Sequence, residues 1–229
     1  MARSKMSTEA PERARRTQAE RTATAARRMI RAAGRLIAHQ GYTKTTLSQV
    51  GKEAGYTGGL VSHHFGSKEG LLRELVGRIT SRFYADQLGP ATESKAGIGA
   101  LRAAADAYFE ELLLREERMR TLYVLMGEAL GPVAEINPVF AELNRGFRVN
   151  ARRWIEEGIE QGEVRSDVDP DTEAALFVGM LRGVSLQWMT DPGCFDLDSV
   201  RASVRRTIQS SLTAKGQGML STEGGANRC

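Results

Sequence analysis

Apolar side chains recur at spacings of three and four from about Thr22: Ala26, Met29, Ile30, Ala33, Leu36 and Ile37 mark one face of a helix. Gly41 stands where such a helix stops. Thr45 is placed as an N-cap ahead of a second, shorter stripe of Leu47, Val50 and Ala54. Ala54-Gly55 reads as a tight turn, and Thr57 caps a short third helix, with Tyr56 and Val61 flanking the cap as a hydrophobic staple. Phe65 closes that small cluster, Gly66 ends the helix, and Ser67 caps a fourth that runs through Leu71, Leu72, Leu75, Val76 and Ile79 to about Leu88. After a linker at Gly89-Pro90 and ATESKAG, helices are predicted from about Ile98 to Arg115, Glu117 to Leu130, Pro138 to Gln161, Asp171 to Thr190 and Asp198 to Leu212. No segment alternates, so no sheet is expected. The fold class is all-α, with about nine helices.

The pattern divides the chain into a basic arm (1–21), an N-terminal helical domain (22–88), a larger C-terminal helical domain (96–213) and a Gly- and Ser-rich tail (214–229), the arm and tail being read as flexible. Charge sharpens the division. Residues 1–90 carry 16 Lys and Arg against 7 Asp and Glu, whereas residues 91–229 carry 16 against 21. A basic head on a mildly acidic body suits a polyanion that meets the head alone. The absence of an apolar run of about 18 residues argues against a membrane span, and the basic N-terminus has no apolar stretch of signal-peptide character after it. A cytoplasmic location is expected. Two cysteines, Cys194 and Cys229, make no disulfide framework and suit a reducing compartment.

The stretch TKTTLSQVGKEAGYTGGLVSHHFGSKEGLL carries the chemistry. Two short helices joined at Ala54-Gly55 have the shape of a helix-turn-helix with its core at 45–65, although an ordinary helical corner would show the same periodicity. A short helix enters a major groove when its outer side chains are small or polar and its inner ones lock it to a scaffold. Here Tyr56, Val61 and Phe65 are expected to face in, and Thr57, Gly58, Gly59, Leu60, Ser62 and His63 or His64 to face out.

From about Arg27 to Leu72 the chain resembles the DNA-binding domain of the TetR family of repressors. The resemblance rests on Gly41-Tyr42, Thr45-Thr46, Val50-Gly51, Ala54-Gly55-Tyr56-Thr57, His63-His64-Phe65 and Ser67-Lys68-Glu69-Gly70-Leu71-Leu72. It implies that Thr46 and Lys68 hold phosphates and that His64 sits where the family has a backbone-contacting aromatic. Ser48 and Gln49 lie where second-helix residues meet phosphate or a base edge, and Gly58, Gly59, Leu60 and Ser62 at groove-facing positions. The chain departs from the family's usual Tyr at Ser62 and His64 and Ala at Gly51. With few long side chains to read bases, recognition would lean on close backbone approach, on Leu60 against thymine methyls, or on DNA shape.

Beyond residue 96 the resemblance is one of outline, clearest in DPDTEAALFVGMLRGVSLQWMTDP, which is similar to the family's penultimate helix. Ala175, Gly179, Arg182, Gly183 and Leu186, with Val204 and Ile208 of the last helix, are the expected faces of a four-helix homodimer bundle; burial within one subunit is the alternative. Among the aromatic and Met residues, Tyr108, Phe109, Tyr123, Met126, Phe147, Phe177 and Met180 are candidates to line an effector cavity, and core packing would account for each equally well. His39, His63 and His64 lack metal-ligand spacing, and no phosphate loop or nucleophile motif appears. No metal, cofactor or catalytic residue is called for. The expected function is a repressor of a palindromic double-stranded operator, released by a small molecule of unknown identity. A DNA-binding protein without a ligand, or an enzyme in the C-terminal domain, are the rival readings. The helix from Ser67 to Leu88 is the expected link between pocket and head.

Overall fold

A computed structural model describes residues 17–131 and 133–213; the first sixteen residues of the predicted arm and the predicted tail lie outside them. All regular structure in the described residues is helical. The head consists of α1 (Gln18–Lys44), α2 (Leu47–Ala54), α3 (Gly58–Phe65) and α4 (Lys68–Phe83). A π-helical turn (Tyr84–Leu88) leads into the short α5 (Gly89–Thr92), and the body follows as α6 (Gly97–Leu114), α7 (Glu116–Ala129), α8 (Asn137–Glu160), α9 (Pro170–Thr190) and α10 (Leu197–Leu212). No helix among the described residues is long and apolar enough to cross a membrane.

Six helix starts follow the capping chemistry, and at α2 the cap is Thr46 instead of the expected Thr45, which is buried and donates its hydroxyl to the Gly41 carbonyl. Thr17 and Thr46 each form a capping box, with Glu20 and Gln49 respectively, and Thr57, Ser67, Asp169 and Asp196 accept from N–H groups of the first turns of α3, α4, α9 and α10. Gly41 breaks α1 with φ of 82°, so the helical rod stops where the glycine predicted, and Tyr42 to Lys44 form a further turn beyond the kink.

Between Gly89 and Pro90 the predicted linker gives way to continuous helix. The π turn lets the Gly89 N–H reach back to the Tyr84 carbonyl, five residues away, and carries the helix past Pro90, whose nitrogen has no hydrogen to donate.

Two apolar clusters organise the molecule. One joins α1 to α4 through Met29, Ile37, Val50, Val61, Leu72 and Leu75, and continues without a break into Leu125, Ile136 and Phe140 of the body. The other fills the body around Phe109, Leu112, Trp154, Ile155 and Leu181; full burial of one such side chain is worth about 1.5–3 kcal/mol. α7 therefore belongs to the head's core as much as to the body's. Thr121 on α7, itself buried, holds its hydroxyl 3.2 Å from the Gly34 carbonyl of α1 and 2.8 Å from the Glu117 carbonyl of its own helix, the two acceptors sharing one proton. α8 and α9 run antiparallel, tied by Arg152 to Asp171 at one end and Arg182 to Asn144 at the other.

The last helix corrects an expectation. Val204 and Ile208 are 4% and 3% exposed within the single chain and pack, with Leu197 and Leu212, in the body core. Arg205 forks onto Asp106 of α6 at 2.8 and 2.5 Å and secures that docking. The apolar positions of α10 fall in a single stripe; buried inside the subunit, it is not available to a second one. On α9 the expected stripe does face outward: Ala175, Gly179, Gly183 and Leu186 are exposed, Leu176 beside them is 61% exposed, and nothing lies within 4 Å of a Cβ built at either glycine. Arg182, placed in the same stripe by sequence, turns its side chain instead to Asn144 and over the Phe147 ring.

Candidate nucleic-acid interface and effector cavity

The α2–α3 corner is built by backbone contact. Gly55 takes the left-handed conformation (φ 79°, ψ 32°), and the Tyr56 N–H returns to the Gly51 carbonyl at 2.7 Å. A Cβ on Gly51 would stand 2.6 Å from the Thr57 carbonyl carbon, and one on Gly58 would stand 2.8 Å from Ser48 Cα. Gly51 thus fits this close crossing, where a methyl would not. Gly58 is not a groove-facing residue as expected; it is the contact point of α3 on α2, because only a missing Cβ lets the helices approach this far. Val61 is fully buried, with Tyr56 and Phe65 packed around it.

The remaining outer positions of α3 fall on one exposed surface: Thr57, Gly59, Leu60, Ser62 and His63. His64 is partly buried and rests edge-on against Phe65, 4.7 Å between ring centroids. Thr46 and Ser48 are exposed at the start of α2. Gln49 is exposed too, but its side-chain oxygen accepts from the Thr46 N–H (2.8 Å), the Thr46 hydroxyl (3.1 Å) and Gln40 (3.3 Å), so its acceptor is committed to the cap. Lys68 Nζ donates to the Thr43 carbonyl (3.2 Å) and lies 4.1 Å above the Tyr42 ring, and burial lowers its pKa. That anchorage fixes the ammonium beside the first turn of α4. Two N–H donors remain, next to helix N–H groups that favour an anion.

Above Lys68, Glu128 of α7 joins body to head. Its carboxylate accepts from the Tyr42 N–H (3.0 Å), the Thr43 N–H (3.0 Å) and the Thr43 hydroxyl (3.1 Å), the two residues that follow the Gly41 kink. Nothing in the local sequence marks Glu128 out from its neighbours; only the fold brings it to α1.

An enclosed cavity of about 20 Å³, room for roughly one water, lies between α4, α6, α7, α8 and α9. Of the expected lining residues, Tyr108, Tyr123, Met126 and Phe147 do line it. Phe109, Phe177 and Met180 do not: Phe109 is fully buried elsewhere in the body core, about 100° round α6 from Tyr108, and Phe177 and Met180 pack in the same core. Sequence reasoning missed Ile79, Phe83, Glu111 and Arg182. Ile79 and Phe83 continue the apolar stripe of α4 and were legible as core only. Glu111 had only a weak signal, as the second of two adjacent acids, Glu110 and Glu111, set between Phe109 and Leu112. The Tyr108 hydroxyl donates to Tyr123 (3.1 Å), whose hydroxyl donates to the Arg182 carbonyl (3.1 Å), so α6, α7 and α9 are held by one relay. Burial pushes both phenols well above their ordinary pKa.

Glu111 is 1% exposed and lies 2.6 Å from Arg118, yet neither carboxylate oxygen makes a hydrogen bond of good geometry among the described residues. Burial raises its pKa, against the pull of Arg118 and Arg115.

Residues 29–75 match the family described as bacterial regulatory proteins, tetR family, and residues 98–213, just over half the chain, match the family described as BetI-type transcriptional repressor, C-terminal. The HTH-type transcriptional repressor KstR2 of Rhodococcus jostii is 26% identical over 189 residues, 80% of this chain and 88% of that protein. The HTH-type transcriptional regulator TtgR of Pseudomonas putida is 25% identical over 188 residues, again 80% and 88%. Among solved structures, the fatty acid degradation regulator FadR of Bacillus halodurans superposes with a TM-score of 0.70 at 21% identity, covering 80% of this chain and 94% of that one. A transcriptional regulator of Saccharomonospora viridis in complex with choline gives 0.71 at 22% identity, covering 84% and 100%. At these identities the superpositions establish the fold.

Proposed function

The chain belongs to the TetR family of bacterial regulatory proteins, and on that premise we propose that it is a cytoplasmic, homodimeric repressor released from a palindromic operator by a small molecule. The observation that carries the reading is the exposed surface of α3, together with Thr46 and Lys68, which meet at the α1–α2 junction. A helix with that surface meets base edges in a major groove while these two groups take phosphates. The outward stripe of α9 supplies the self-complementary surface that pairs two such heads, as a two-fold operator requires. The curated relatives are themselves named as a repressor and a transcriptional regulator.

The effector's place is the aromatic cavity. In this conformation it is nearly filled, so a ligand must part its walls, and two of those walls lead to the head: α4 begins at Lys68, and α7 ends in the Glu128 contact. A molecule that binds better to the opened form shifts the population toward a head spacing that no longer fits the operator.

The test is binding of the purified protein to DNA from upstream of its own coding region, followed by fluorescence anisotropy over a range of KCl. One palindromic segment should bind more tightly than its scrambled control. Lys68→Ala should weaken binding about equally on both and lower the salt slope by roughly one unit, as loss of one phosphate contact does. Equal affinity for palindrome and scramble would remove the repressor reading.

A further inference from the structure

Along the C-terminal half of α4, away from Lys68, a cleft of about 460 Å³ opens between α1, α4 and the α6–α7 corner. Six guanidinium side chains line it, two from each of these elements: Arg27 and Arg31, Arg78 and Arg82, Arg115 and Arg118. Its floor is apolar, formed by Ile30, Leu75 and Ile79. The carboxylates at its edge are Asp86, Glu116 and Glu117, and Glu116 is drawn aside by Arg120 at 2.5 Å. Glu111, behind the wall, is paired with Arg118. Among the described residues, no carboxylate lies within 4.0 Å of Arg31 or Arg82, and Arg78 has only a loose pair with Glu74 at 3.7 Å.

A cluster of like charges from three separate elements costs free energy unless an anion sits among them. Burial lowers the pKa of Arg118, and beyond burial the neighbouring Arg115 and Arg82 lower it further, against the pull of Glu111. DNA is not the missing anion. At about 1.5 Å per residue, roughly 21 Å of helix separates Arg82 from Lys68 at the DNA-facing end of α4. The volume suits a small molecule, and the planar forks of arginine suit phosphate or carboxylate oxygens.

We infer that this cleft is a binding site for the phosphate or carboxylate group of an anionic small molecule, held by Arg31, Arg82 and Arg115 from three elements at once. A ligand so held ties α1 and α4 of the head to the start of α7. Ile79 lines both this cleft and the aromatic cavity, and the Glu111–Arg118 pair separates the two. Its effect on operator binding rests on the repressor reading above; the binding itself does not.

Isothermal titration of the full chain with sodium pyrophosphate and, separately, sodium citrate, at ionic strength held constant with chloride, tests it. At least one anion should bind at one per chain, and the double variant Arg31→Gln/Arg82→Gln should weaken it about tenfold or more, since each fork is a charge-assisted contact. Pyrophosphate alone assigns a phosphate ligand, citrate alone a carboxylate. The control Arg145→Gln, on the exposed face of α8, should bind like the wild type. Should the double variant melt early, hydrogen exchange on the wild-type protein replaces it: pyrophosphate or citrate should slow the first-turn amides of α7. Neither anion binding, binding unchanged in the variant, or exchange unaltered overturns the inference. So does a variant that keeps its anion affinity but loses duplex DNA, which would make these arginines DNA contacts. An operator bound by the protein and released by a neutral compound, with neither anion bound, leaves the repressor reading standing and removes the cleft.

Discussion

Replacing Glu128 with alanine tests whether α7 holds the DNA-binding head in place. The substitution removes three hydrogen bonds at 3.0–3.1 Å, all to one carboxylate and two of them from backbone N–H groups. Hydrogen bonds to charged groups contribute about 1.5–3 kcal/mol each. These three share one partly exposed side chain, so their sum is not additive, and the joint loss is set at about 2–3 kcal/mol. At about 1.4 kcal/mol per factor of ten, amide exchange at Tyr42 and Thr43 should accelerate roughly 30- to 140-fold. If the loss is felt globally, the melting temperature should fall by about 4–12 °C. Glu128→Gln keeps one acceptor oxygen in place and should show about half the effect. Operator affinity should drop in the same order, because Thr43 also offers its carbonyl to Lys68 and lies in the last turn of α1, which leads into the Thr46 cap of α2. The assay is native-state hydrogen exchange resolved at the two amides, with wild type, Glu128→Gln and Glu128→Ala in parallel. Exchange at Tyr42 and Thr43 no faster in the alanine variant than in the wild type would show that the contact carries no load.

The helix-turn-helix corner allows a paired comparison. Gly58→Ala drives a methyl to 2.8 Å from Ser48 Cα and should cost about 1–3 kcal/mol in urea unfolding, whereas Gly59→Ala meets nothing nearer than Thr57 Oγ1 at 3.9 Å and should stabilise by about 0.5–1 kcal/mol; equal stabilities would refute the packing. Gly179→Trp should shift sedimentation at low concentration from dimer to monomer, and a dimer that persisted would move the interface away from α9. Glu111 titrates above its ordinary pKa because it is buried. Its folded form holds the proton more tightly than the unfolded chain, so it adds stability at low pH that is lost as pH rises through the raised value. Melting temperatures of the wild type and Glu111→Gln, compared from pH 4.5 upward, should therefore diverge in the variant's favour as pH rises; a constant difference would count against a buried, titrating Glu111.

What could be read before the fold was known follows from what a local pattern contains. Every long helix announced itself through an apolar stripe at 3.6-residue spacing, reinforced at α1, α4, α9 and α10 by a capping Thr, Ser or Asp; both are local facts. The helix-turn-helix was legible for the same reason: Gly55, Thr57, Val61 and Phe65 all lie within one short segment. Residues whose role depends on a partner far along the chain were not. Val204 and Ile208 formed an apolar face that would have fitted either a second subunit or α6, and periodicity is identical in the two cases. Arg182 shares a helical face with Gly179 and Gly183, yet its side chain is long enough to leave that face for Asn144 and Phe147. Gly58 read as an open position on a recognition helix because the sequence does not state how closely α2 crosses α3.

The link between cavity and head shows the same division. The sequence pointed to α4 alone, since one continuous stripe runs from Ser67 to Leu88 and a single rod needs no second element. The structure adds α7: Tyr123 and Met126 line the cavity, and its last turn presents Glu128 to Tyr42 and Thr43. Two rods anchored at both ends constrain the head more than one, because a shift of α4 alone would shear against the contacts that α1 makes with α7 through Thr121 and Glu128. Opening the cavity therefore has to move α4 and α7 together or break one of those contacts. The arginine cleft lies where α1, α4 and the start of α7 meet. An anion bound there would act on the relative position of all three, and so on the head that carries α3.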